Sequence, residues 1–275
     1  MQKKRILYWV TIVFLSLVIL VCSVAIARKL ITDHQEKTKY DDIAATMESL
    51  REQANATRPT GQTQPSTQNP DDPTSESTEP TEAGGILFEY QLLHQLNSDM
   101  VGWIQVPGTN INYPVVQTPD NANFYLDRNF YKEKAACGAI YAREMCDVNA
   151  PSDNVVLYGH NMKNGSMFGQ IHDFKKQDFY ESHKTIYFDT LYERHTYEVF
   201  ALFLISTGED EPFKYHLFDN AETQEEFDEF VANCISHSFY ETDVVPQYGD
   251  KLLTLSTCDR TITDGRLVLV AKRID

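Results

Sequence analysis

A run of 22 residues without a charged side chain, Ile6–Ala27, limits what this chain can become more than any other feature. As a helix, the run is long enough to cross a hydrocarbon core of about 30 Å. The basic side chains within residues 1–5 favour a cytoplasmic tip, and Arg28 and Lys29 beyond the run weaken that preference without reversing it. We therefore predict a single-pass membrane helix over 6–27, with the remainder of the chain outside the cell. A cleaved signal peptide is the alternative.

Two further segments separate the apolar run from the rest of the chain. The first, 28–56, has a thin apolar stripe at helical spacing, formed by Tyr40, Ile43, Met47 and Leu50. This stripe predicts a helical stalk, either a lone helix or a dimeric coiled coil. The second, 57–85, holds five of the eleven prolines and no aromatic or large aliphatic residue. Because such a segment has too little apolar surface to bury, we predict a disordered Pro/Thr-rich linker.

Charge and cysteine content exclude several kinds of partner. The net charge of the chain is −16, and removing the five basic side chains of residues 1–29 leaves −21 on the rest. So acidic a domain disfavours nucleic acid and anionic membrane surfaces as partners. No spacing of Cys and His resembles a zinc site, so neither a metal nor another cofactor is expected. Three cysteines are predicted to be free, packed thiols: Cys137, Cys146 and Cys234.

Short apolar runs bounded by turn residues dominate the region 86–275. Eight of them are predicted to be strands: Gly102–Val106, Tyr113–Gln117, Gly138–Ala142, Asn154–Tyr158, Thr185–Asp189, Tyr197–Ser206, Lys251–Leu255 and Leu267–Ala271. This pattern is typical of an antiparallel barrel or sandwich. About 190 residues are sufficient for one hydrophobic core, so we predict a single, mainly β domain with helices.

Two helices are predicted among these strands. Leu87–Leu96 is apolar at helical spacing, and we expect Leu93 and Leu96 to face inward. A capping box of Thr223 and Glu226 begins the second helix. Its apolar stripe lies at positions i, i+3, i+4, i+7 and i+8, formed by Phe227, Phe230, Val231, Cys234 and Ile235.

The stretch Thr254–Arg266 carries the strongest sign of chemistry. An apolar strand leads to Cys258, and a turn-rich segment then leads to a second strand that Arg266 opens eight residues later. Two strands connected in this way would place the two residues side by side. A guanidinium beside a thiol favours the nucleophilic thiolate and can stabilise an oxyanion on an attacked carbonyl. Taken alone, a Cys in an apolar strand is more often a small buried hydrophobe.

A histidine upstream strengthens the catalytic interpretation. Asn154–His160 is an apolar strand that ends in Gly-His, and a loop rich in Asn and Gly follows, as at an open rim. His160 lies 98 residues before Cys258, so only the fold can bring the two together. The seven other histidines follow no such strand and are predicted to be solvated: His34, His94, His172, His183, His195, His216 and His237.

Together these segments resemble the sortases, the membrane-anchored cysteine transpeptidases of Gram-positive bacteria. The resemblance rests on Thr-Leu-Ser-Thr-Cys ending at Cys258, the Arg eight residues on, and Leu-Tyr-Gly-His-Asn-Met around His160. It extends over Ile86–Asp275, and Tyr158–Phe179 is most similar to class B sortases. The family implies a closed eight-stranded β-barrel. A helix before the catalytic strand, as predicted above, is a class B feature.

The resemblance also implies transpeptidation. Cys258 would attack the carbonyl of a Thr in a sorting signal and form a thioacyl-enzyme. His160 would act as general acid to the leaving amine and then as general base to the incoming amine. Arg266 would stabilise the tetrahedral oxyanion. No Asp in the sequence is placed to orient His160, so no third acid is assigned.

Substrate contacts and partners follow from the same resemblance. Four residues are expected around the bound peptide: Tyr158, Ser256, Thr257 and Asp259. For Tyr158 and Thr257, a purely structural role is equally consistent with the sequence. The implied partners are surface proteins with a C-terminal sorting signal of the Asn-Pro-Gln-Thr-Asn type. The implied acceptor is an amine of a peptidoglycan precursor or a pilin lysine.

Two other functions are consistent with the sequence. A cysteine hydrolase would use the same Cys, His and Arg but complete the reaction with water. A non-catalytic, membrane-tethered surface module would keep Cys258 only for packing. The Ser-His-Gly-Cys pattern of L,D-transpeptidases is absent, and the papain order, Cys before His, is reversed.

Overall fold

The computed structural model describes residues 2–56 and 85–275, with side chains from Tyr8 onward. All of the predicted linker except Gly85 therefore lies outside the described residues. The helices are α1 (Gln2–Ala56), α2 (Phe88–Leu96), α3 (Gln177–His183) and α4 (Gln224–His237). The strands are β1 (Met100–Gln105), β2 (Asn112–Val116), β3 (Ile140–Ala142), β4 (Asn154–Tyr158), β5 (Thr185–Thr190), β6 (Thr196–Ser206), β7 (Leu252–Cys258) and β8 (Gly265–Arg273).

The eight strands close into a barrel in the order β1-β2-β3-β4-β7-β8-β6-β5, and β5 pairs back to β1. Each strand overlaps one of the eight predicted strands, which confirms the predicted eight-stranded barrel. Two of the pairs, β2–β3 and β4–β7, are parallel, which corrects the purely antiparallel arrangement expected from the short strands. A parallel pair requires a long crossover. The chain between β4 and β7 supplies it with α3, β5, β6 and α4.

Strands β6 and β8 are apolar on both faces because two hydrophobic cores meet on them. Leu202 and Leu269 belong to the core that fills the barrel, whereas their neighbours Phe203 and Val268 pack into a second cluster that includes α4. Successive side chains of a strand point to opposite faces. Burial on both faces therefore explains why these two strands have uninterrupted apolar sequences.

Both helices predicted within the domain are present, with one correction in α2. Thr223 Oγ1 caps α4 by accepting a hydrogen bond from Glu226 N at 3.3 Å. In α2, Leu93 is buried as predicted, but Leu96 is 58 % exposed. The next inward position after Leu93 is Asn97, four residues on, which is buried at the C-terminal end of the helix.

The stripe predicted as a stalk is part of the folded domain. Helix α1 is long and apolar enough in its first part to cross a membrane. Further along, Tyr40, Ile43 and Met47 are each at most 4 % exposed and belong to the core cluster of the barrel. The helix expected over 28–56 is therefore present as part of α1, and its apolar stripe packs on the barrel. The sequence did not predict this contact because the barrel surface that the stripe packs against is formed by residues far along the chain, after the predicted linker.

The cysteines are placed as predicted, whereas some of the histidines are not. Cys137, Cys146 and Cys234 are buried and free, as predicted. Among the histidines expected to be solvated, His195 is buried, with acidic groups near both ring nitrogens. His172 is half-buried. It lies beside the candidate site.

Candidate active site

The strand pair β7–β8 sets Cys258 and Arg266 side by side. The two residues are direct partners in the antiparallel register, as predicted. Cross-strand partners have Cβ atoms about 4.5–5.5 Å apart. The connecting loop closes through a hydrogen bond from Asp259 N to Gly265 O at 3.0 Å. A Cβ on Gly265 would collide with Asp259 O, so this close approach requires glycine.

Parallel pairing of β4 with β7 brings His160 to the same edge of the barrel. Beyond the last paired residues, Gly159 N donates to Ser256 O at 3.2 Å. Thr257 Oγ1 in turn donates to Gly159 O at 2.8 Å. The carboxyl ends of parallel strands meet at one edge of a sheet, so His160 follows β4 where Cys258 ends β7. Thr257 thus has a structural role at this edge.

A backbone carbonyl holds the ring of His160. Its Nε2 lies 2.6 Å from Leu126 O, and because a carbonyl only accepts, Nε2 carries the hydrogen in this contact. The loop after His160 turns back on it, with Phe168 N donating to His160 O at 3.0 Å. A carbonyl, rather than a carboxylate, therefore orients this imidazole.

Two cavities adjoin the thiol, and the larger has a volume of about 530 Å³. Its volume is in the range of small-ligand sites. Six of the seven predicted site residues line it: Tyr158, His160, Ser256, Thr257, Cys258 and Arg266. The other lining residues were not predicted as site residues, although Gly159 belongs to the Gly-His motif: Ala122, Asn123, Leu126, Tyr141, Arg143, Glu144, Gly159, Thr207, Tyr215, His216 and Leu217. The structure thus brings the thiol, the imidazole and the guanidinium into one space.

Aromatic rings contribute much of the cavity lining. The rings of Tyr141 and Tyr158 pack with centroids 5.4 Å apart, and Tyr215 OH lies 2.7 Å from Ser256 Oγ. Burial raises the pKa of Tyr141 and of Tyr215 to about 12, and it raises the pKa of Tyr158 further. All three phenols are therefore neutral at pH 7. They contribute ring surface, but no charge, to the cavity lining.

Charged groups line another part of the cavity. Arg143 forms a partly buried ion pair with Asp219. Burial lowers the pKa of His216, and the cations of Arg143 and Lys214 lower it further, so His216 is neutral at pH 7. With Arg266, the lining contains two permanent cations and one acid, Glu144. The charged residues of the lining are therefore net positive, whereas the chain as a whole is net negative.

The carboxylate of Asp259 is buried behind the site. Asp259 borders an adjoining depression of about 420 Å³, yet its side chain is only 2 % exposed. It accepts hydrogen bonds from Lys175 Nζ at 2.7 Å and Thr261 N at 2.8 Å. Burial would raise the pKa of Asp259, but these hydrogen bonds outweigh it and hold the pKa well below its usual range. The contacts show how the carboxylate is held. Because Cys258, His160 and Arg266 border the same depression, the substrate contact expected of Asp259 from the sequence stays a prediction.

Asn161 and His172 contact the backbone of Cys258, and neither was predicted to be a site residue. Asn161 Nδ2 donates to Cys258 O at 3.0 Å, and His172 Nε2 lies 3.3 Å from the same carbonyl. The two side chains are also 2.8 Å from each other. The signal for Asn161 was its place in the Leu-Tyr-Gly-His-Asn-Met run around His160. His172 carried none, because 86 residues separate it from Cys258.

This geometry suits nucleophilic acyl transfer. The thiol can attack a carbonyl, the guanidinium can stabilise the oxyanion, and the imidazole borders the same space to move protons. Within residues 2–56 and 85–275, no group of three or more His, Cys, Asp or Glu is placed to hold a metal ion.

Comparison with known proteins agrees with this chemistry. A family model described as the Sortase domain matches residues 104–274, well over half of the chain. The chain belongs to the sortase family. The matched region contains Cys258, His160 and Arg266, and it runs from within β1 to just beyond β8.

Relatives narrow the assignment to class B. Sortase B of Staphylococcus aureus is 32 % identical over 188 residues, which cover 68 % of this chain and 75 % of the relative. Sortase B of Listeria monocytogenes is 34 % identical over 194 residues, which cover 70 % and 76 %. A solved S. aureus sortase B–substrate complex has a TM-score of 0.72 at 26 % identity, covering 89 % of this chain and 99 % of that chain. A Bacillus anthracis protein similar to sortase B has a TM-score of 0.68 at 30 % identity, covering 88 % and 96 %. The chain is a cysteine transpeptidase of the class B type.

Proposed function

We propose that this sortase cleaves the C-terminal sorting signal of surface proteins after a Thr residue and joins the new carbonyl to an amine of the cell wall or of a pilin. The observation that carries the proposal is the direct pairing of Cys258 with Arg266 at a cavity that His160 also lines. A packed, non-catalytic Cys would need neither the cation nor the open space beside it.

The proposed reaction exchanges one amide for another. Cys258 Sγ attacks the Thr carbonyl as a thiolate, a C–S bond forms, and Arg266 stabilises the oxyanion. The peptide C–N bond then breaks, and His160 gives its proton to the leaving amine. An acceptor amine attacks the thioacyl carbonyl and passes a proton to His160, and the C–S bond breaks to return the thiolate. No oxidant or hydrolytic water is required.

The cavity lining supports a peptide as donor and an amine as acceptor. Tyr158 and Tyr141 present ring surface to the space beside the thiol, and Ser256, which also lines it, is held by a hydrogen bond with Tyr215 OH. Sortase B of S. aureus has been solved with a substrate. A second sortase B structure, 28 % identical with a TM-score of 0.70, is a complex with triglycine, a peptide with a free amine. The acceptor of this enzyme would then be the amine of a peptidoglycan precursor or a pilin lysine.

The proposal places the first part of α1 in the cell membrane as a single span over 6–27, with the N-terminus in the cytoplasm. The uncharged run and the basic residues before it support this orientation. Tyr40 contacts the barrel 13 residues after Ala27 on the same unbroken helix. At about 1.5 Å per residue, the catalytic domain would then lie roughly 20 Å from the membrane surface.

The test is product analysis with full-length protein in detergent micelles. A library of peptides with pentapeptide motifs of the Asn-Pro-Gln-Thr-Asn type is incubated with and without triglycine, and products are identified by mass spectrometry. We expect a thioacyl adduct on Cys258 and an amide product that forms only with triglycine. Equal release of free acid with and without triglycine would indicate a hydrolase. The absence of any adduct, with Cys258 alkylated no faster than the buried thiols, would indicate a non-catalytic module.

A further inference from the structure

Tyr40 of α1 joins the middle of one loop to its C-terminal end through its hydroxyl group. The side chain is buried, and its OH accepts a hydrogen bond from Phe130 N at 3.1 Å and donates one to Gly138 O at 2.8 Å. Burial raises the pKa of Tyr40, so the phenol stays neutral and can donate. The loop between β2 and β3 is therefore fastened to the helix that leads out of the apolar run.

The same loop surrounds the ring of His160. Leu126 supplies the carbonyl oxygen that lies 2.6 Å from His160 Nε2. Gly138 packs against the ring from another direction, since a Cβ at that position would lie 3.2 Å from His160 Cδ2 and 2.8 Å from Leu126 O. Gly138 also has a φ of +59°, a conformation that favours glycine. Displacing Gly138 would therefore move both the ring and the carbonyl that holds it.

A second contact connects Tyr40 to the loop that follows His160. The ring of Tyr113 packs edge-on against Tyr40, with centroids 5.6 Å apart. Tyr113 OH accepts a hydrogen bond from Met167 N at 3.0 Å, and the next residue, Phe168, donates its N–H to His160 O. Tyr40 thus reaches His160 from two sides, through the loop before β3 and through the loop after β4.

Other contacts of α1 with the first loop are more exposed. Lys39 Nζ lies 2.6 Å from Glu133 Oε2, and Asn129 Nδ2 donates to Glu36 Oε2 at 2.8 Å. The first contact is an exposed ion pair, which contributes little to stability and is screened by salt, whereas the second is a partly buried hydrogen bond. Among these contacts of α1, the two hydrogen bonds of the buried Tyr40 hydroxyl group are the ones whose loss should disturb the loop most.

We propose that Tyr40 is a positioning residue for His160. Through it, the part of α1 next to the membrane sets the orientation of the imidazole that moves protons in acyl transfer. This inference rests on the proposed function, in which His160 is the general acid and base. Tyr40 does not line the cavity beside the thiol, so its effect falls on proton transfer rather than on peptide binding.

The experiment compares Tyr40→Phe with Tyr180→Phe in the full-length protein. Tyr180 is a matched control because it is buried and its hydroxyl group donates to a backbone carbonyl, Val199 O, away from the cavity. For Tyr40→Phe we expect kcat to fall about 10-fold with KM within about twofold, because an acid–base group worth about 10²–10⁴-fold is displaced rather than removed. We also expect the pH of maximal kcat to shift. Tyr180→Phe should change neither quantity.

The outcomes distinguish the positioning role of Tyr40 from the acid–base role of His160. Equal kcat and equal pH profiles for the two variants would overturn the positioning role. If thermal unfolding shows that Tyr40→Phe does not fold, Tyr113→Phe, which removes the acceptor for Met167 N, is judged by the same two readouts. His160→Ala tests the proposed function separately. If His160→Ala retains turnover, the acid–base role fails; if His160→Ala is inactive and Tyr40→Phe behaves as the control, only the positioning role fails.

Discussion

Cys258 and Arg266 belong to paired strands, whereas His160 lies two residues beyond the end of β4 and depends on loops. The ladder between β7 and β8 sets the spacing of the first two residues. For His160, the corresponding contacts are the carbonyl of Leu126 and the hydrogen bond from Phe168 N. The register of paired strands is strongly fixed where their faces are buried, so it shifts only if the packing of the barrel is rearranged. Loops, in contrast, move with whatever packs against them.

The strand pair holds the thiol and the guanidinium, whereas the loops set the orientation of the imidazole. On the strand side, a substitution should remove a chemical step while the backbone stays in place. On the loop side, a substitution should change the orientation of the imidazole and alter rates by degrees. The expected effects on turnover decrease from Cys258 and Arg266, on the paired strands, to Asp259, in the loop between β7 and β8.

The largest effect is expected for Cys258→Ala. The variant should fold normally, because Cys258 is only partly buried at a strand end, and it should lose all thioester-dependent product because no nucleophile remains. Cys234→Ala is the control, since that thiol is on α4 and is fully buried in the second core cluster. Mass spectrometry of the product and thermal unfolding measure both quantities. Thioester-dependent product from Cys258→Ala would refute the assignment of the nucleophile.

A smaller loss is expected for Arg266→Lys. Lysine keeps the charge but lacks the planar fork, so the oxyanion loses a fixed donor and kcat should fall about 10²–10³-fold. Arg273→Lys, on the same strand, should stay within about twofold because it lies outside the cavity. Steady-state kinetics with peptide and triglycine provide the measurement. An Arg266→Lys variant within a few-fold of wild type would mean that the guanidinium is structural.

The smallest change in turnover is expected for Asp259→Asn, which should instead alter stability with pH. Because the pKa of Asp259 is lowered in the folded protein, its stabilisation is complete above the unfolded pKa of about 3.9 and is lost as pH falls toward the folded value. At neutral pH, the variant should lose about 1–3 kcal/mol of unfolding free energy. Below about pH 4, the difference from wild type should shrink.

Urea unfolding from pH 7 down to pH 2 measures this difference, with Asp120→Asn as an exposed control. Identical pH dependence for wild type and Asp259→Asn would contradict the lowered pKa. Peptide KM should also be unchanged in Asp259→Asn. A large rise in KM would support the substrate contact that the sequence predicted for Asp259.

Short-range patterns predicted the parts of this fold that depend on neighbours in the chain. Asn154–Tyr158 was predicted with its observed bounds, and Thr223 caps α4 as expected. The pairing of Cys258 with Arg266 was also predictable, because a short connection between two strands leaves few registers. Helix ends and facing were less certain from pattern alone, as Leu96 shows.

Contacts between distant segments were not predictable from one sequence. The stripe of α1 at Tyr40 is compatible with a stalk, a coiled coil or a docked helix, and only the barrel surface across the linker distinguishes them. Leu126 holds His160 through a backbone carbonyl, which any residue carries. His172 likewise has no feature in the sequence that links it to Cys258.

The amino-acid sequence determined the eight strands, the apolar run near the N-terminus and the residue types that can perform acyl transfer, because these depend on local periodicity and side-chain chemistry. The tertiary structure decided that His160 and Cys258 meet at one edge, through the parallel pairing of β4 and β7. It also decided that α1 supports the loop around His160. Both depend on pairings between segments far apart in the chain, which the closing of the barrel selects.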